Sequence, residues 1–93
     1  MIRGFRHRGL ERFWIRSDAS RLRPDWIPRI NRLLRALQAA RRPEELGVPG
    51  TGIHALRGDL KGRYAMTVSR NWRLTFGWNG EDAVDIDLED YHG

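Results

Sequence analysis

Two short stretches of this 93-residue chain gather the side chains best suited to moving protons. One is Glu89-Asp90-Tyr91-His92, and the other is His54-Ala55-Leu56-Arg57-Gly58-Asp59-Leu60-Lys61-Gly62. An imidazole titrates near neutral pH, so it can take a proton from a hydroxyl or give one to a leaving oxygen. RNA carries its own nucleophile, a 2′-hydroxyl beside the phosphorus it attacks. One proton acceptor, one proton donor and positive charge against the developing phosphorane suffice to cut it without a metal. Two His, an Asp, a Tyr and several Arg meet that requirement. The competing reading is a solvated polar tail, which composition by itself favours for a chain end.

Other chemistries find less support. Gly58 and Gly62 lack the strand–turn–helix setting of a phosphate loop, and no Gly-Lys-Ser/Thr follows. His7, His54 and His92 lie far apart and there is no Cys, so neither a metal nor another cofactor is expected. Ser17, Ser20 and Ser69 carry no nucleophile-elbow signal. The absence of Cys also removes disulfides and fits a reducing compartment. Arg interrupts every apolar run before it reaches the length of a membrane span or signal peptide. A cytoplasmic location with no membrane partner is therefore expected.

Charge narrows the class of partner. Of the 17 basic residues 16 are Arg, with Lys61 the only Lys. Residues 1–80 hold all 17 against 6 acidic residues, a net of +11, whereas 81–93 hold 6 acidic residues and no Arg or Lys, a net of −6. Guanidinium groups grip phosphate oxygens in pairs and stack on bases, so this imbalance points to nucleic acid. A GC-rich genome would explain the Arg:Lys ratio but not the net charge.

These residues need a scaffold, and the hydrophobic pattern supplies one. At this length a single domain over 1–93 is expected. Residues 2–5 are compatible with a short first strand. Leu10, Phe13 and Trp14 recur at helical spacing within 7–16. A loop over 17–23 leads to a second helix, from about Pro24 to Ala40, with an apolar stripe of Ile27, Ile30, Leu33, Leu34 and Leu37. Arg29, Arg32 and Arg35 fall on its opposite, solvated side. After a Pro- and Gly-rich connector over 41–52 the period becomes two. Tyr64, Met66 and Val68, then Trp72, Leu74, Phe76 and Trp78, then Val84, Ile86 and Leu88 form the three apolar rows. Ser69-Arg70-Asn71 and Asn79-Gly80-Glu81 are the turns between them. The expectation is an α+β fold, two N-terminal helices on one face of a small antiparallel meander. Arg73, Thr75, Asp85 and Asp87 would then project from the other face, either as a salt-bridged surface or as the floor of a site.

Four blocks carry a wider resemblance: Met1-Ile-Arg-Gly-Phe-Arg-His-Arg-Gly-Leu10, Ile53 to Gly62, Asn71-Trp-Arg-Leu-Thr-Phe76 and Glu89-Asp-Tyr-His92. In their order and spacing they resemble the HigB family, the plasmid-maintenance killer branch of the RelE-like toxins. The resemblance implies a RelE-like fold, helices on a curved antiparallel sheet, and cleavage of mRNA in the ribosomal A site. It also implies a HigA-type helix-turn-helix antitoxin, with operator DNA bound only through that complex. Carried over by position, His54, Asp90, Tyr91 and His92 match the family's cleavage residues and Arg73 its phosphate-binding Arg. Arg57 and Lys61 add charge for RNA. Relatives often have Lys at position 57, and an Arg there keeps the charge but is a poor proton donor. Which His is base and which is acid stays open. Two other classes compete, a non-enzymatic nucleic-acid-binding or co-repressor module and a gyrase-poisoning toxin of the ParE branch. The first leaves Asp90-Tyr91-His92 without purpose, and the second lacks the paired His.

Overall fold

A computed structural model describes residues 1–47 and 62–91, together with the backbone of 54–55. Helix α1 spans Arg8–Arg16 and α2 spans Ile27–Ala39. Four antiparallel strands follow: β1 (His54–Ala55), β2 (Arg63–Thr67), β3 (Trp72–Asn79) and β4 (Asp82–Asp90), hydrogen-bonded in that order. The α+β arrangement expected from the periodicity is the one observed.

Each boundary has a local cause. α1 begins where His7 Nδ1 accepts the Leu10 N–H at 3.1 Å, a side-chain cap for a donor the helix leaves open. It ends at Ser17, in the left-handed region at φ 57°, where the N–H groups of Ser17 and Asp18 reach back to Phe13 and Arg12. The second helical segment starts as a 3-10 turn, Pro24–Trp26, rather than as α-helix. An α-type bond to the Pro24 carbonyl would need an N–H at position 28, and Pro28 has none; the Ile27 N–H takes that carbonyl instead. Regular helix then runs to Ala39, burying Ile30, Leu33, Leu34 and Leu37. Arg32 and Arg35 are exposed as expected, but Arg29 is half-buried and donates to the Thr67 carbonyl at 3.0 Å, tying α2 to the end of β2. The connector after α2 contains a further 3-10 turn, Pro43–Leu46, that drives Leu46 into the core.

The core lies between the helices and one face of the sheet, where Leu10, Ile30, Leu33, Leu34 and Leu37 meet Met66, Leu74, Phe76, Ile86 and Leu88. Trp26 packs on Trp72 with ring centres 5.3 Å apart, seating the start of α2 on β3. Residues 2–5 run alongside β4 in parallel, bridging at Ile2–Ala83 and Phe5–Ile86, so the expected first strand is two isolated bridges rather than a ladder. Two residues, Gly80 and Glu81, close the β3–β4 hairpin, with Gly80 at φ 64°, a backbone that glycine adopts without penalty.

The alternation expected along the last strand is corrected as well. Thr75 pairs with Asp87 but Gly77 pairs with Val84, so β4 carries an extra residue, and Asp85 takes it up at φ 51°. The bulge shifts the alternation by one. Ala83 lies in the core where Val84 was expected, and Val84 moves to the far face, with its Cγ2 beside Gly77. Bulges bend the strand that carries them, and this one sits beneath the candidate site.

Candidate active site

Three rungs of the sheet define the far face, away from the helices. Arg63, Gly77 and Val84 share one; Ala65, Thr75 and Asp87 share the next; Thr67, Arg73 and Glu89 share the third. Cross-strand partners point the same way, so these side chains stand on one side of the sheet. His54 pairs with Ala65 and joins the middle rung through its backbone. Tyr91 follows directly after β4, its N–H held by the Asn71 carbonyl at 2.6 Å.

Arg73 is fixed by backbone and not by acid. Its Nη1 donates to the carbonyls of Ser69 (2.9 Å), Trp72 (3.2 Å) and Arg70 (3.3 Å), clamping the β2–β3 turn. No carboxylate lies within ion-pair distance among the described residues. The guanidinium carbon stands 5.9 Å from the centre of the Tyr91 ring, a cation–π arrangement. Tyr91 is 39% exposed. Partial burial and the nearby Glu89 carboxylate raise its pKa above the ordinary phenol value, although Arg63 and Arg73 pull the other way. It therefore stays protonated at neutral pH, able to donate a hydrogen bond.

Thr75, fully buried, links two charged neighbours. Its hydroxyl donates to Glu89 Oε2 and accepts from Arg63 Nη2 at 3.2 Å, while the same Nη2 donates to the Asp85 carbonyl at 2.9 Å. Two further carboxylates near this face, Asp85 and Asp87, are engaged elsewhere. Asp85 sits 3.9 Å from Arg6, and Asp87 accepts the Leu88 N–H at 2.9 Å and faces His7. The salt-bridged surface that alternation allowed is thus not built among the described residues. Among these residues the Arg63 and Arg73 guanidinium groups share the face with Glu89 without an ion pair to it.

The structure brings Arg73 and Tyr91 together. Asp90 is exposed and pairs in register with Trp72, one step out of phase with Glu89 and Arg73. Of His54 only the backbone is described, and Arg57, Lys61 and His92 lie outside the described residues. Two residues joined to this face were not among the expected site residues: Arg63, and Glu89, which entered only as the first member of the Glu89-Asp90-Tyr91-His92 stretch. Their signal was present: both fall in phase with Arg73 once the strands are paired, but pairing register is not visible in one sequence. Among the described residues no three His, Asp or Glu side chains are grouped to hold a metal ion. No helix among them is long and apolar enough to cross a membrane.

Residues 3–92 match the family model described as "RelE-like toxin of type II toxin-antitoxin system HigB". The chain is 36% identical over 92 residues to a Proteus vulgaris protein named Endoribonuclease HigB, covering 99% of this chain and all of that one. It is 34% identical over 87 residues to Toxin HigB-1 of Vibrio cholerae serotype O1, covering 91% of this chain and 92% of the relative. With a match this complete, the chain belongs to the HigB-like family of RelE-like toxins in type II toxin–antitoxin systems, and so has an antitoxin as its partner.

Proposed function

We propose that this toxin is an endoribonuclease that cuts mRNA in the ribosomal A site by attack of the RNA's own 2′-hydroxyl. The reading is carried by one observation, the Arg73 guanidinium standing against the ring of Tyr91, one residue from His92, with no carboxylate in ion-pair range among the described residues. In the reaction a 2′-oxygen–phosphorus bond forms and the bond to the 5′-oxygen breaks, leaving a cyclic phosphate and a 5′-hydroxyl. The 2′-hydroxyl proton passes to His92 or Asp90, and His54 gives one to the departing oxygen; the two His are equally able to exchange these roles. Arg73, with Arg57 and Lys61, balances the charge that builds on the phosphorane. Tyr91 stacks on or hydrogen-bonds a base through its protonated phenol.

The ribosome's part in this reading is to hold the message near in-line geometry, so that the 2′-hydroxyl and the scissile phosphate meet the protein's side chains already aligned. The antitoxin is of HigA helix-turn-helix type, operator DNA is contacted only through the toxin–antitoxin complex, and the protein acts in the cytoplasm. Primer extension on a message under translation, with wild-type protein and with His92→Ala, tests the proposal. Cleavage by the wild type and its loss in the variant are expected. Equal cleavage by both would remove His92 from the mechanism, and rapid unselective cleavage of naked RNA would remove the ribosome.

A further inference from the structure

We propose that Arg63 is a second phosphate-binding arm of this site, aimed by Thr75 and Glu89, that takes a phosphate neighbouring the one held by Arg73. The inference rests on the RNA-cleaving reading above.

Arg63 enters from β2, on the rung of Gly77. Glycine leaves its path open: the guanidinium Nη1 lies 3.7 Å from where a side chain on residue 77 would begin. The side chain therefore lies across the sheet toward Thr75 instead of standing in solvent. There it meets a hydroxyl whose own proton is committed to Glu89, which leaves the oxygen lone pairs to accept from Arg63. Its other partner is the Asp85 carbonyl at the β-bulge. Both partners are neutral, and among the described residues no carboxylate is in ion-pair range of Arg63. An Arg serving only to hold strands together would gain more from one of the acids on this face. Among the described residues this one is oriented but not neutralised, and among them only its Nη2 is engaged, which leaves Nη1 and Nε for an anion.

Spacing fits the same ligand. Thr75 lies two residues from Arg73 along β3, about 7 Å. Both guanidinium groups also lie near enough to Tyr91 to act on its phenol, so two positive groups stand about one stacking surface, the combination that a single RNA strand engages.

The test measures binding to a programmed ribosome whose message carries a 2′-O-methyl group at the cleavage position, so that affinity is read without turnover. Arg63→Gln should weaken binding roughly tenfold or more. It should also flatten the slope of log affinity against log salt by about 0.7, the share of one phosphate contact on a single strand. On an unmodified message its loss should fall on KM more than on kcat, because Arg63 holds a phosphate other than the reacting one. Should Arg63→Gln fail to fold, Arg63→Lys carries the test: the charge and the salt slope persist, but affinity drops because an ammonium cannot fork between Thr75 and a phosphate. A folded Arg63→Gln with wild-type slope, or an Arg63→Lys with wild-type affinity, overturns the inference and leaves the proposed function standing. A wild type that neither binds nor cuts the programmed ribosome overturns both.

Discussion

Replacing Arg73 with Met removes one guanidinium with two separable duties, and the structure sets the size of each. The first is mechanical. Nη1 reaches three carbonyls of the β2–β3 turn, one at 2.9 Å and two at 3.2–3.3 Å. A charged donor to a carbonyl is worth about 1.5–3 kcal/mol when well made, but two of these contacts are long and share one nitrogen. The turn is also partly open to water, so about 1–2 kcal/mol is expected, lowering Tm by roughly 5–15 °C. The second duty is electrostatic. Losing one preorganised charge from a transition state costs about 2.7–4 kcal/mol, on the order of 10²–10³ in rate. A domain with about 5–15 kcal/mol of stability stays folded after the first loss, so unfolding cannot imitate the second. Cleavage of a translated message, measured well below both melting points and paired with a thermal melt, reads the two separately. Arg73→Met with less than a tenfold loss of rate and the expected drop in Tm would make Arg73 a turn clamp only.

His7 and Gly9 give two further tests at the start of α1. The His7 imidazole is held below its ordinary pKa of 6.5 by burial, with Asp87 opposing, and Nδ1 must be unprotonated to accept the Leu10 N–H. Between pH 6.5 and the lower folded value the unfolded chain binds a proton that the folded chain refuses. Stability from this group is therefore full above pH 6.5 and falls as the pH drops through that window; urea titrations of His7→Gln should be less stable at pH 7.5 and show a shallower acid slope than wild type. An unchanged slope would clear His7 of the role. Gly9→Ala would place its Cβ 2.8 Å from His7 Cε1 and 3.0 Å from Arg21 Cβ, so His7 must shift and its cap loosen. A loss of about 1–3 kcal/mol in the same titrations is expected, although Ala is the better helix former; a gain would show that the pocket yields freely.

Much of the scaffold was legible because its signals are local. The Ile30, Leu33, Leu34 and Leu37 stripe needs only a helical period, and Trp72, Leu74, Phe76 and Trp78 only a strand period. What escaped depends on contacts between distant residues. Ala83 and Val84 are both apolar, so nothing in their types revealed that a bulge at Asp85 would exchange them. Leu46 sits in a four-residue turn too short to show a period. Arg29 falls on the polar side of α2, and only the approach of β2 gave it the Thr67 carbonyl. The site divides the same way. Alternation alone put Arg73 and Thr75 on the face away from the core. Their assembly with Tyr91, Glu89 and Arg63 depends on strand register and on the Tyr91 N–H bond to Asn71, neither of which a single sequence displays.

The central claim is that the RNA's own 2′-hydroxyl is the nucleophile and that this toxin's side chains move the protons. A message identical to the cleaved one except for a single 2′-O-methyl group on the nucleotide 5′ to the cut, loaded on the ribosome with wild-type protein, tests it directly. The account expects binding to persist, cleavage at that position to disappear, and the unmodified control to yield a cyclic phosphate and a 5′-hydroxyl. Cleavage of the methylated message at the same position would contradict it, because the nucleophile would then have to be water or a group of the protein.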